Sequence, residues 1–317
     1  MSRHKSPLPE AFQPRPSAEL MDISVMRGRQ VPDSARIAVI IMSTGSDPYA
    51  IEAVESVLAQ DVAAEIAVVN TGEGSLGAPL GKLGEHVILI ETPHRQFAGG
   101  TRNIGIRYTT APIVAFLAAD CLLTPGWLRR QLEWHEGEGA CVAVASALRP
   151  APSINGYVPL IGWTCCAFFH FGRMPETEPV KATRFGLTYQ RHLFTQYGLF
   201  DEQVRVAEDT LFNERLLSEH SPYWDPRIVT LHRYPETFVE ALLDAFHRAG
   251  RHVHYQRNRG EGGRLSAFFS LYPRMGFSVI RRVIVGCKIL PPEVVKGAPL
   301  VVPLTLASMI GALFPSR

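Results

Sequence analysis

Beyond Phe246 the chain is nearly without acid. Only Glu261 and Glu293 oppose His247, Arg248, Arg251, Arg257, Arg259, Arg264, Arg274, Arg281, Arg282, Lys288 and Lys296. The formal charge of +2 over 317 residues hides this imbalance. Charge of one sign gathered at one end points to an anionic partner there, with membrane phospholipid as the first candidate and nucleic acid as its rival. Nucleic acid is set aside, because the stacking aromatics interleaved with Lys and Arg in the usual binding modules are missing. Cysteine is scarce as well. Cys121, Cys141, Cys165, Cys166 and Cys287 make an odd count without a C-x-x-C pair. The adjacent Cys165 and Cys166 suit neither a shared zinc nor a mutual bridge, so reduced thiols are expected. Residues 1–34 hold five prolines among charges and no apolar core stretch. They are expected to be no signal peptide but a mobile tail on the cytoplasmic side.

What is present is ample core material: 46% of residues are hydrophobic and 20% charged. IAVIIMS (37–43) is a continuous apolar run of strand length, the pattern of a strand buried on both faces. Asp47 and Pro48 then open a helix over 48–60, with Ile51, Val54 and Leu58 at helical spacing. EIAVVN (65–70) and VILIE (87–91) are further strands, 98–109 a helix, and PIVAFLA (112–118) a fourth strand running into Ala119 and Asp120. Strands alternating with helices predict a mostly parallel, Rossmann-like α/β sheet flanked by helices. Ligands bind beyond the carboxyl ends of such strands, and Thr44, Asn70 and Asp120 all stand there. That placement predicts a nucleotide-type site. Residues 148–186 are expected as loops, and a helix is expected from Glu208 to about Glu219.

The last segment changes character. FSVIRRVIVGCKIL (277–290) reads as an imperfectly amphipathic helix, and APLVVPLTLASMIGALF (298–314) carries no charge over 17 residues. As a helix the latter would span ~25 Å at ~1.5 Å per residue, short of the ~30 Å hydrocarbon core. Peripheral or partly inserted attachment to an anionic membrane surface, rather than a full span, is the expectation, with a hairpin packed on the domain as the alternative. The domain reading is a disordered tail over 1–35, a catalytic-type α/β domain over 36–250, and a basic, hydrophobic helical appendage over 251–317.

Five segments in order carry a family resemblance: IAVIIMSTGSDPYAIEAVESVLAQ, EIAVVNTGEGS, AGGTRNIGIRYTTAPIVAFLAADCLLTPGW, GLTYQRHLFTQYGLFDEQVRVAEDTLFNERL and VTLHRYP. Together, over roughly 36–235, they resemble the family 2 glycosyltransferases of the GT-A fold, in their bacterial, membrane-associated form. The resemblance implies an inverting enzyme that moves a sugar from a nucleotide-sugar donor to an acceptor hydroxyl in cell-surface polysaccharide, glycolipid or related synthesis. Thr44 and Asn70 match positions that contact the base and ribose, although the family usually has Asp at Asn70. Arg102 and Asn103, at a helix start, suit the diphosphate, and Gly99 and Gly100 let the backbone approach closely.

Asp120 matches the end of the family's D-x-D motif, which holds a divalent cation, Mg²⁺ or Mn²⁺. Residues 118–120 read Ala-Ala-Asp, so Ala118 replaces the first carboxylate; Ala119 belongs to the donor site as its neighbour. His232 matches a second metal ligand. Asp209 of the Glu208-Asp209 pair matches the catalytic base, with Glu208 orienting the acceptor or tuning Asp209. Arg191 matches the acceptor side, and 247–259 is a basic run suited to phosphate. A UDP-sugar is the expected donor, with GDP and dTDP sugars as alternatives, and a saccharide or lipid-linked molecule the expected acceptor. The expected location is the cytoplasm, at the inner face of the cell membrane. A second reading, from Asn70 and Ala118, is a catalytically weak sugar-nucleotide-binding scaffold.

Overall fold

The structure, a computed structural model, describes residues 12–137, 140–153, 156–176, 188–260 and 263–314. Two compact units are present, one spanning Pro14–Arg149 and Gly172–His232, the other gathering Pro150–Phe171 and Arg233–Arg317.

The first unit is built on one nine-stranded mixed sheet, ordered β1-β4-β3-β2-β5-β8-β7-β9-β6. Its strands are β1 (Ser24–Arg27), β2 (Ile37–Thr44), β3 (Glu65–Thr71), β4 (Val87–Thr92), β5 (Ile113–Ala118), β6 (Cys121–Leu123), β7 (Ala143–Pro150), β8 (Thr188–Gln190) and β9 (Tyr223–His232). The centre β4-β3-β2-β5 is parallel, whereas β1 on β4, β8 on β5 and β7, and β6 on β9 are antiparallel. Successive residues of a strand face opposite sides, so Val39 and Ile41 enter one core layer and Ile40 the other. The first layer is closed by α1 (Tyr49–Leu58) and α3 (Trp127–Glu136), the second by α2 (Ala98–Arg107) and α5 (Glu208–Leu216). Burial on both faces is why these strands are continuous apolar runs.

Two elements depart from the sequence reading. Residues 24–27, placed by the sequence in a tail, form β1, whose Val25 pairs with Ile90 of β4. All four β1 side chains are exposed, so no apolar alternation marks the strand. Residues 1–11 lie outside the described residues, as do 154–155 and 177–186 from the expected loop stretch. Within the described part of that stretch, LIGWTCCAFFH forms α4 (Leu160–His170). A helix apolar on every side shows no amphipathic period.

The second unit is helical. It holds α4, α6 (Phe238–Asn258), α7 (Tyr272–Gly286), α8 (Pro292–Gly297) and α9 (Val301–Leu313). Ala249, Val253, Ala267, Tyr272 and Ala312 form a core shared by α6, α9 and the start of α7. A Cβ at Gly311 would overlap the Phe246 carbonyl, so α9 lies on the α6 backbone as only glycine allows. This unit begins at Arg233, ahead of the boundary near 250 that composition implied, and reaches back for Pro150–Phe171.

Candidate active site

The first strand end is β2, where Gly45 and the non-glycine Ser46 take positive φ of 62° and 57°. Asn70, at the end of β3, is fully buried beneath this turn. Its Oδ1 accepts the Ser46 N–H at 3.1 Å, and its Nδ2 donates to the Gly74 carbonyl at 3.1 Å. Glu91 of β4 completes the clamp, accepting from the Leu76 N–H at 2.8 Å and the Ser75 hydroxyl at 2.9 Å. Asn70, which the sequence reading set at the base, spends its amide here on the turns that follow β2 and β3. Asn fits here because it both donates and accepts. Thr44, partly buried and in register with Thr71, remains at the open strand end. Glu91 escaped the sequence reading because it sits in a short strand with no motif around it.

The second strand end is β5. The Ala119 N–H donates to the Met42 carbonyl at 3.0 Å, which fixes Ala119, itself buried, as backbone support. Asp120 follows, its side chain 42% exposed, and β6 then pairs with β9 so that Cys121 stands opposite His232. Asp120 Oδ2 lies 3.9 Å from His232 Nε2, and the Cys121 Sγ is 3.6 Å from Asp120 Oδ1. Ligand atoms of all three residues fall within 4.8 Å of one another. Burial, then the Asp120 charge, pushes the Cys121 thiol well up, so it stays protonated. A hard cation takes carboxylate oxygen in preference to a thiol, and a softer divalent cation also accepts imidazole nitrogen. The donor set thus fits a divalent cation held by Asp120 and His232, with Mn²⁺ better suited to the imidazole than Mg²⁺.

The third part is the start of α5. Ala207 occupies the left-handed region at φ 70°, ψ 22°, an unusual conformation for alanine that turns the chain sharply into Glu208 and Asp209. The Thr210 N–H donates to Asp209 Oδ1 at 2.7 Å. Burial, then the neighbouring Glu208 charge, raises the Asp209 carboxyl above its ordinary value, against the pull of Arg102, the Thr210 N–H and Arg173. Glu208 is buried and ion-paired with the guanidinium of Arg102. That guanidinium also lies 5.4 Å from the Phe116 ring centre and 5.1 Å from that of Phe200. Burial works against the charge on Arg102, and Glu208 and Asp209 outweigh it.

Arg102 and Asn103 were expected at a diphosphate, and the structure commits both within the protein. The Asn103 amide donates to the Phe200 carbonyl at 2.9 Å and to Glu202 Oε1 at 2.7 Å, while its oxygen accepts the Phe200 N–H at 3.1 Å. Gly99 serves the same junction, because a Cβ there would overlap the Asp201 carbonyl. Arg191, expected on the acceptor side, caps the end of α2 instead. It donates to the carbonyls of Ala111 and Ile106 at 2.6 and 2.9 Å and to the Thr109 hydroxyl at 2.9 Å. Arg173 was missed altogether. It donates to the Ser146 carbonyl at 3.2 Å and acts electrostatically on both Asp209 and Cys121. It follows the apolar α4, in a stretch whose sequence carries no recognisable motif.

A mixed α/β sheet flanked by helices, with an aspartate and a histidine at paired strand ends and an acidic pair opening a helix, is the architecture of a GT-A glycosyltransferase. Residues 38–196 match the glycosyl transferase family 2, and the chain belongs to that family. Among curated proteins, the succinoglycan biosynthesis protein ExoO of Rhizobium meliloti (strain 1021) is 26% identical over 193 residues, which are 57% of this chain and 54% of that protein. The chain therefore matches about half the length of that relative. Among solved structures, the mannosyltransferase PcManGT from Pyrobaculum calidifontis, in complex with GDP-Man and Mn²⁺, superposes with a TM-score of 0.55 at 16% identity. That match covers 90% of this chain and 87% of the other. At such identity the likeness is one of fold.

Proposed function

We propose that this glycosyltransferase moves a sugar, with inversion, from a nucleoside-diphosphate sugar to an acceptor hydroxyl, with Asp209 as the base. The observation that carries the reading is the raised carboxyl of Asp209 at the start of α5, beside a Glu208 already committed to Arg102. A carboxylate raised above its ordinary value is the stronger base once ionised. As the acceptor oxygen forms its bond to the anomeric carbon, its proton passes to an Asp209 oxygen. The bond from that carbon to the diphosphate oxygen breaks on the opposite face, and its electron pair leaves with the nucleoside diphosphate. Attack from that side inverts the anomeric centre. Glu208 acts through Arg102: the pair fixes the helix start that aims Asp209. A divalent cation held by Asp120 and His232 would neutralise charge on the leaving diphosphate.

The supported chemistry includes a choice of base made at the turns following Thr44 and Asn70. Because Asn70 is enclosed, its identity gives no reason to prefer uracil, and GDP sugars stand beside UDP and dTDP sugars as donors. Membership of the family and the polysaccharide-synthesis relative support a saccharide or lipid-linked acceptor, and the basic, apolar C-terminal end supports its handling at the inner face of the cell membrane.

Asp209→Asn tests the assignment. Turnover should fall by ~10²–10⁴, while calorimetric titration with UDP, GDP and dTDP sugars in Mn²⁺ should show donor binding within a few-fold of wild type. Near-wild-type turnover would remove Asp209 from the role. Repeating the titration of the wild-type protein in chelator should abolish tight donor binding, and unchanged binding would refute the cation's part. Proton NMR of the product's anomeric signal decides between inversion and retention.

A further inference from the structure

The helical unit exposes more apolar surface than its own core explains. On α7 the buried residues Tyr272, Gly276, Val279 and Val283 recur on one side of the helix. The opposite side carries Phe277, Ile284 and Val285, which are 69%, 68% and 78% exposed, and Ile289 in the turn that follows is 72% exposed. Arg274, Arg281 and Lys288 are exposed in the same span, and no Asp or Glu occurs between Glu261 and Glu293. At 100° per residue, Phe277, Arg281, Ile284 and Val285 fall within one quadrant or a little more. Large apolar side chains and cations thus share one helical face, from which acid is absent.

We infer that this face docks in the plane of an anionic lipid membrane, with Phe277, Ile284, Val285 and Ile289 entering the headgroup–acyl boundary and Arg274, Arg281 and Lys288 meeting lipid phosphates. This deepens the proposed location of the enzyme and rests on that reading. Mixed basic and apolar composition on one face is what interfacial binding requires, since each class of side chain then finds its own depth. A second copy of the chain fits less well: a two-fold contact through this face would set the same cations against each other.

The same geometry decides how the apolar end is held. Pro292–Leu313 is long and apolar enough to cross a membrane by composition. Yet α9 buries Val301, Leu304, Ser308, Gly311 and Ala312 within the unit. Only its outer stripe is open, with Val302, Leu306 and Ile310 at 51%, 53% and 49% exposure. Crossing would strip α9 from α6, where Gly311 lies against the Phe246 carbonyl. The helix stays on the protein and lies along the surface.

Flotation of the full chain with phosphatidylcholine vesicles, with and without phosphatidylglycerol, tests this. Binding should require phosphatidylglycerol and should be released by high salt or alkaline carbonate. The exposed-site variant Phe277→Ser/Ile284→Ser/Ile289→Ser should bind about tenfold more weakly or worse. Arg274→Gln/Arg281→Gln/Lys288→Gln should lose about fivefold for each cation and most of its salt dependence. Both variants should keep the wild-type thermal midpoint and wild-type transfer to a short, water-soluble acceptor, so loss of docking is read apart from loss of the reaction. Equal binding to both vesicle types, no binding by the wild type, resistance to carbonate, or a dimer in sedimentation that the same variants abolish would each overturn the inference.

Discussion

Asp209 sets function against stability. Burial and Glu208 hold its carboxyl above the unfolded value, so the fold favours the protonated form. Its contribution to stability is full below the unfolded pKa and is lost as pH rises through the folded one. The proposed base role runs the other way, because activity should be gained as pH rises through that same raised value. Asp209→Asn, which removes the charge but keeps an oxygen for the Thr210 N–H, should therefore be more stable than wild type at neutral pH. The gain should vanish at acid pH, and calorimetric melts across the range measure it. A variant no more stable at neutral pH than at acid pH would contradict this account. At the residue scale the sequence supplies candidates, and the structure supplies their surroundings. Asp120, Glu208 and Asp209 could be named because long motifs surround them. The tasks of Asn70, Arg102 and Asn103 could not, because burial and partners decide them. Asn70 is enclosed, Arg102 answers Glu208 across 106 positions of chain, and Asn103 binds a loop 97 residues away.

Elements follow their sequence where periodicity and burial agree. Strands β2 to β5 are continuous apolar runs because both faces of the parallel centre are covered. β1 and α4 were hidden for opposite reasons, one too exposed to show a pattern and the other too apolar to show a face. The junction between α2 and residues 199–203 illustrates how elements are positioned without a motif. Gly99 admits the Asp201 carbonyl, and Asn103 and Arg102 follow on the same helix to hold Phe200 and Glu208. Gly99→Ala should push that loop off α2 and cost about 1–3 kcal/mol, measured as a lower urea midpoint with an unchanged slope. A variant as stable as wild type would show that the loop carries no part of the stability of this junction.

At the scale of the whole molecule, the two units are interwoven in sequence. The helical one takes Pro150–Phe171 from the middle of the chain and everything from Arg233 onward. Composition located the basic, apolar end but not this arrangement, because α4 carries no charge pattern tying it to the later helices. Truncation after His232 would leave α4 without α8, which packs on it where Gly297 meets Thr164. Such a chain should be found in aggregates by size-exclusion chromatography, and a monodisperse truncated protein would argue that α4 needs no partner.

The pairing of β6 with β9 has a consequence in time. Asp120 and His232 come together only when the last strand of the sheet has been laid along a short strand formed much earlier in the chain. A ribosome that has released β2 to β5 has already delivered the strand ends proposed for the nucleotide, but only half of the Asp120 and His232 pair proposed for the cation. If the proposed cation role holds, its capture is a late event in synthesis, because the pair exists only once the sheet closes.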